Sequence, residues 1–155
     1  MRELHGESAR PANRVQNRTT ILVSKQIHFF VREWQDGGMQ RVNGIGGYFI
    51  RAADPTALGS WYRDCLGLDA NEDGVWKQGA GLTVFAPFPS ETEYFGSRSQ
   101  QVMINFRVPD LNAMLEQLRA KGANVAEETQ DLQGIGRFGW VTDPEGNRVE
   151  LWEPA

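Results

Sequence analysis

Two stretches of this chain follow one plan at an offset of about 56 residues, and that repetition limits its folds more than any other feature. Setting Asp54 on Asp110 places Arg51 on Arg107, Leu58 on Met114 and Tyr62 on Leu118. In each copy an apolar strand-like run precedes the aspartate, a helical pattern follows it, and short glycine-divided strands come next. One copy alone would have a sheet with a helix on one face and nothing on the other. Two copies side by side form a curved sheet whose concave face is a natural cleft for a small ligand.

In the first copy, GIGGYFIRA reads as a strand, and Asp54 with Pro55 supplies an N-cap and a first-turn proline. Leu58, Trp61, Tyr62, Cys65 and Leu66 fall at helical spacing until Gly67 stops the helix. Strands are expected near 74–77 and 82–86. In the second copy, QVMINFRV is a strand and Asp110 caps a helix with Leu111, Met114, Leu115 and Leu118 on one stripe, ended by Gly122. Strands near 123–129 and 137–142 follow. The last strand pairs with its predecessor across the turn Asp143, Pro144, Glu145, Gly146, Asn147. Alternation sends Val149 and Leu151 one way and Arg148, Glu150 and Trp152 the other. Glu150 is thus a carboxylate planted mid-strand, which must be solvated, paired or bound to something.

The remaining signals bound the function. The chain of 155 residues is 40% hydrophobic with five tryptophans, enough for one sizeable core. Its net charge of −4 and pI near 5.2 give no general attraction to nucleic acid. No apolar run approaches the roughly 20 residues that span a bilayer, and the N-terminus has no apolar signal core, so no membrane partner is expected and the setting is cytoplasmic. Cys65 is the one cysteine, which excludes an internal disulfide and a cysteine-rich zinc site. Residues 1–38 read as an appended arm, polar and then strand-like over 21–34, able to add a strand to a sheet edge. His28 lies in that run as a surface histidine without acidic or histidine neighbours in sequence.

Gly134, Gly136 and Gly139 spell the dinucleotide fingerprint, but they lead into a strand where a phosphate cradle needs a helix N-terminus. Trp61, Tyr62 and Cys65 read as core, and Trp76 and Trp140 as packed strand residues with the option of stacking on a ligand. The segment Glu91 to Gln100 carries Tyr94, Phe95 and Arg98, and reads as a connector with the chemistry of a lid.

GIGGYFIRAADPTALGSWYRDCLGL, QQVMINFRVPDLNAMLEQLRAKGANV and GRFGWVTDPEGNRVELWEP closely resemble the vicinal oxygen chelate superfamily. That superfamily contains glyoxalase I, bleomycin-resistance proteins and extradiol dioxygenases. The resemblance covers Val42 to Pro154 and implies an α+β fold of paired βαβββ modules, about 43–90 and 100–154 within one domain 39–155, forming an open barrel-like cleft. It also implies a homodimer. In metal-dependent members four positions hold a divalent ion. Carried onto this sequence they fall at Gly47, at one of Thr83, Val84 and Phe85, at Met103 and at Glu150. Only Glu150 is a strong ligand, and Gly47 and Met103 offer no oxygen or nitrogen side-chain donor to replace a metal's water. The expectation is therefore no cofactor; a divalent metal would depend on Glu150 and on His5 or His28 folding in.

On that geometry the cleft presents Phe49, Arg51, Met103, Asn105, Arg107, Arg148, Glu150 and Trp152, a surface for a small organic ligand that is anionic or planar. The competing reading is that Arg51, Arg107 and Glu150 satisfy one another as a polar network. Two function classes follow from the resemblance. One is a small-molecule binding protein like the bleomycin-resistance proteins, without a tightly bound catalytic metal. The other is an enzyme, a metal-dependent lyase or isomerase of the glyoxalase I type or a related dioxygenase, with Glu150 as ligand and catalytic base.

Overall fold

A computed structural model describes residues 41–71 and 73–155. The arm 1–38, its strand-like run, His5 and His28 lie outside the described residues. The chain divides into two compact units, Gln40–Thr83 with Pro87–Ala155, and Met1–Met39 with Val84–Ala86. Of the second unit only Val84–Ala86 is described, without helix or strand. Apart from that short run, all that follows concerns the first.

The two aspartates act as the repeat demands. Asp54 caps α1 (Pro55–Leu66), its carboxylate accepting from the Ala57 amide at 2.9 Å. Asp110 caps α2 (Leu111–Ala120) by the same bond to the Ala113 amide, also 2.9 Å. Such a bond satisfies one of the four amides that a helix start leaves without a partner, and is worth about 1 kcal/mol. Gly67 ends α1 in the left-handed conformation at φ +69°, where a side chain would be strained.

The second repeat then builds a mixed sheet. β1 (Asn105–Arg107) precedes α2, and β2 (Asn124–Val125), β3 (Gln130–Leu132), β4 (Gly136–Thr142) and β5 (Arg148–Pro154) follow it. The order across the sheet is β1-β5-β4-β2, with β3 also on β4; β1 runs parallel to β5 and the other pairs are antiparallel. β1, α2, β2, β4 and β5 make one βαβββ module, to which β3 adds a short strand on β4. Leu111, Leu115 and Leu118 of α2 and Leu58, Tyr62 and Cys65 of α1 bury against Val141, Val149 and Leu151 of the sheet. Leu111, Leu118, Val149 and Leu151 are entirely buried, each contributing on the order of 2 kcal/mol of apolar transfer. Gly139 keeps β4 close under α2, since a Cβ there would come within 3.2 Å of Leu115.

The hairpin turn also fastens α1. Buried Asp143 accepts from the Glu145 and Asn147 amides, the Asn147 side chain and the Tyr62 hydroxyl. Glu145 in turn accepts from the amides of Ala53 and Asp54, at the start of α1. Burial and the neighbouring Asp143 carboxylate push the Tyr62 phenol well above its ordinary pKa, so it stays a donor.

The first repeat departs from expectation. The runs 44–52, 74–77 and 82–86 take no strand conformation, and the strands expected over 101–108 and 123–129 shorten to β1 and β2. Val42, Ile45, Phe49 and Leu82 are exposed. A helix satisfies its own backbone, but a strand needs a neighbour's amides and carbonyls. The glycines at 44, 46, 47, 79 and 81 weaken these segments further, having no side chain to pack. Among the described residues no helix is long and apolar enough to cross a membrane.

Candidate functional site

Register alone assembles the centre of the sheet face opposite α1 and α2. Asn105 and Trp140 stand opposite Glu150 on its two neighbouring strands, while Arg107 and Phe138 flank Trp152, and Thr142 faces Arg148. Since side chains alternate across a strand, Phe138, Trp140 and Thr142 share a face with Arg148, Glu150 and Trp152. The opposite face meets the helices, as Val141, Val149 and Leu151 show.

Glu150 lies at the middle of this face and is 7% exposed. Its Oε1 accepts from the Trp140 indole at 3.2 Å and, by a short hydrogen bond, from the Tyr94 hydroxyl; its Oε2 accepts from the Asn105 amide at 2.6 Å. Burial pushes the carboxyl above its ordinary pKa, opposed by the Tyr94, Asn105 and Trp140 bonds and the Arg148 charge. Burial, then the charge of Glu150, pushes the Tyr94 phenol up, so it too remains protonated and donating.

Aromatic rings wall the carboxylate. Tyr94 meets Trp140 edge-on at 5.9 Å and stacks on Phe88 at 5.3 Å, and Phe88 also touches Phe95. Phe138 and Trp152 stack at 6.1 Å, with the Trp152 indole donating to the Ile135 carbonyl. The Arg148 guanidinium lies 4.9 Å over Trp140 and reaches the exposed Glu128 at 3.3 Å, a pairing worth little in water. Gly96, Ser97, Asn124, Glu128, Trp140, Thr142 and Arg148 border a recess of about 210 Å³.

The expected cleft residues thus meet different fates. Asn105, Arg148, Glu150 and Trp152 are brought together on one face. Arg107 turns to the carbonyls of Gly79 and Ala80 at 2.7 and 2.9 Å, packed where a Cβ on Gly81 would have to sit. Phe49 and Arg51 are exposed and Met103 is half-buried. The network expected among Arg51, Arg107 and Glu150 is replaced by one of Tyr94, Asn105 and Trp140 around Glu150. Trp140 was open to discovery, because the DPEGN turn fixes the hairpin register and so puts it opposite Glu150. Tyr94 was not, since nothing near it in sequence says where its loop returns.

A glyoxalase-like domain model matches residues 47–152. The chain belongs to that family. Its fold is the α+β glyoxalase/bleomycin-resistance fold of the vicinal oxygen chelate superfamily. An antibiotic-binding protein from Streptomyces sp. CB03234 is similar at 19% identity and TM-score 0.52, covering 76% of this chain and 100% of its own. A genomically encoded fosfomycin resistance protein from Listeria monocytogenes is similar at 14% identity and TM-score 0.52, covering 74% and 96%. A glyoxylase/bleomycin resistance protein/dioxygenase domain from Frankia sp. EAN1pec aligns at 18% identity and TM-score 0.51, covering 74% and 100%. No curated protein matches the chain.

The described residues at the positions carried over from the family, Gly47, Met103 and Glu150, do not fit a divalent ion. Both Glu150 oxygens are taken by donors, Gly47 has no side chain, and Met103 offers a thioether. Among the described residues no group of three or more His, Cys, Asp and Glu is placed to hold an ion. A hard cation would have to displace the Tyr94, Trp140 and Asn105 donors and find its remaining oxygens elsewhere.

Proposed function

We propose that this glyoxalase-like protein binds a planar small organic molecule on the sheet face of its second module opposite α1 and α2, without a tightly held catalytic metal. The observation that supports this is the surrounding of Glu150: three neutral donors satisfy the carboxylate, and the rings of Trp140 and Tyr94 stand against it, with Phe88 stacked on Tyr94. Such a cluster joins flat aromatic area, buried here with Trp140 4% exposed, to a few placed polar groups, the usual character of a small-molecule pocket. Arg148 at its rim suits a ligand that also carries an acidic group.

The same reading takes the protein as a cytoplasmic homodimer, a second copy covering the exposed Ile45, Phe49 and Leu82; sedimentation as a monomer would remove that part. The test of the main reading is metal analysis of gently purified protein, paired with a thermal-shift screen of planar antibiotics, aromatic diols and thiol adducts. We expect less than stoichiometric metal, no shift with Ni, Zn, Mn or Fe, and stabilisation by planar compounds. Stoichiometric metal, with an isomerase or lyase activity lost in Glu150→Gln, would establish the glyoxalase I type of enzyme instead.

A further inference from the structure

The loop between the modules supplies the group that occupies Glu150. Within residues 87–99 the turns close on themselves, with the Thr92 amide on the Pro89 carbonyl and the Gly96 amide on the Glu93 carbonyl. Tyr94 is the one side chain of that span that hydrogen-bonds to the sheet among the described residues. The loop is anchored just beyond, at Gln100, whose amide pairs with the Arg148 backbone at 2.7 Å in both directions. A firm anchor at one end and a single polar latch near the middle describe a flap that can lift without disturbing the sheet.

The latch has the chemistry of a ligand. Tyr94 presents a flat phenol, stacked against Phe88 at an interplanar angle of 13° and edge-on to Trp140 at 89°, with its hydroxyl on a buried carboxylate. A recess that shares Trp140 with this cluster, between Gly96 and Ser97 of the loop and Trp140 and Arg148 of the sheet, measures about 210 Å³. Pockets for drug-sized ligands run from about 300 to 1,000 Å³, so a polycyclic ligand would need the loop to move.

We propose that Tyr94 is an internal stand-in for the ligand, and that the natural ligand is a hydroxylated planar aromatic whose phenol replaces that of Tyr94 on Glu150 as the loop lifts. This rests on the binding function above and adds to it the class of ligand and the mode of opening. The exchange is one of hydrogen bonds: the ligand O–H donates to Glu150 Oε1, Tyr94 is released to water, and no covalent bond changes. The ring of the ligand takes up the edge of Trp140 that Tyr94 leaves, and its bulk extends into the recess toward Arg148.

The probes are 1-naphthol and 1-methoxynaphthalene, titrated by calorimetry against the wild-type protein and Tyr94→Phe, with hydrogen exchange of residues 88–100 followed in both. Three results are expected together. Wild type prefers 1-naphthol by about tenfold, the worth of one buried hydrogen bond. Tyr94→Phe binds both probes about tenfold more tightly, because the competing hydroxyl is gone. Binding of 1-naphthol to wild type speeds exchange of the Tyr94 and Gly96 amides while that of Glu150 is unchanged. Equal affinity for the two probes, an unaltered affinity in Tyr94→Phe, or a loop that stays protected would each overturn the exchange. Binding of both probes beneath a closed loop would do so while leaving the planar-ligand function intact. If neither probe binds either protein, the phenol assignment falls, and the metal analysis and wider screen decide the function separately.

Discussion

The two repeats start from one plan and end as different structures. Both helices form where the sequence places them, each capped by an aspartate and closed near a glycine. The strands of the second repeat pair, and those expected of the first do not. Helix formation is decided within one stretch of chain, whereas a strand is decided by its neighbour. α1 owes its place to the second module, through the Tyr62 bond to Asp143 and the Gln117 bond to the Cys65 carbonyl. The regular part of the described structure is thus one module and a borrowed helix, and the candidate site is built on that module together with Tyr94 and Phe88 of the loop before it.

The largest effect that would sharpen this contrast comes from the shared core. Leu118→Ala removes a side chain with no exposure and should cost about 3 kcal/mol of unfolding free energy in urea titration. A loss under 1 kcal/mol would mean that the second module does not carry the fold. Next, Glu150→Leu leaves the Tyr94 hydroxyl and Trp140 indole without an acceptor, for a cost of about 2 kcal/mol. If that variant is instead as stable as wild type, the Glu150 cluster is not satisfied in the way described.

Glu150 also sets a pH dependence. Its folded-state pKa is raised above the ordinary 4.5, so the folded chain keeps a proton that the unfolded chain releases. The associated stability is present in full below 4.5 and is lost as pH rises through the folded-state value. Melting curves of wild type and Glu150→Gln should therefore diverge in slope above pH 4.5, and parallel curves would contradict a buried, proton-retaining carboxyl.

The helix caps test whether the two repeats are equal where their local chemistry is equal. Asp54→Ala and Asp110→Ala should each cost about 1 kcal/mol, since each removes one 2.9 Å bond to a helix amide. Markedly unequal losses would show that α1 is held by the hairpin turn more than by its own cap. The smallest effect is expected in the unpaired strand region. Val42→Ser, at a side chain 95% exposed and outside the surface assigned to a second copy, should change stability by no more than about 0.5 kcal/mol, and a loss of several would reveal packing at that position.

Much of this was legible beforehand because it was local. The N-caps, the Gly67 stop, the DPEGN turn and the split of Val149 and Leu151 from Glu150 and Trp152 each depend on a handful of consecutive residues. The hairpin was read from its turn, but the pairing of Trp140 with Glu150 came only with the strand register of the structure. What escaped was long-range: that Arg107 would reach back to the carbonyls of Gly79 and Ala80, and that Tyr94, 56 residues before Glu150, would be its partner.

By itself the sequence determined two capped helices, a hairpin and a carboxylate on the face away from the helices, since propensity, capping and alternation act over a few residues. Only the tertiary structure decided which groups satisfy that carboxylate and which strands find partners. Both depend on segments distant in the chain meeting in space, and hydrogen bonds of that kind leave no periodic trace in the residues between them.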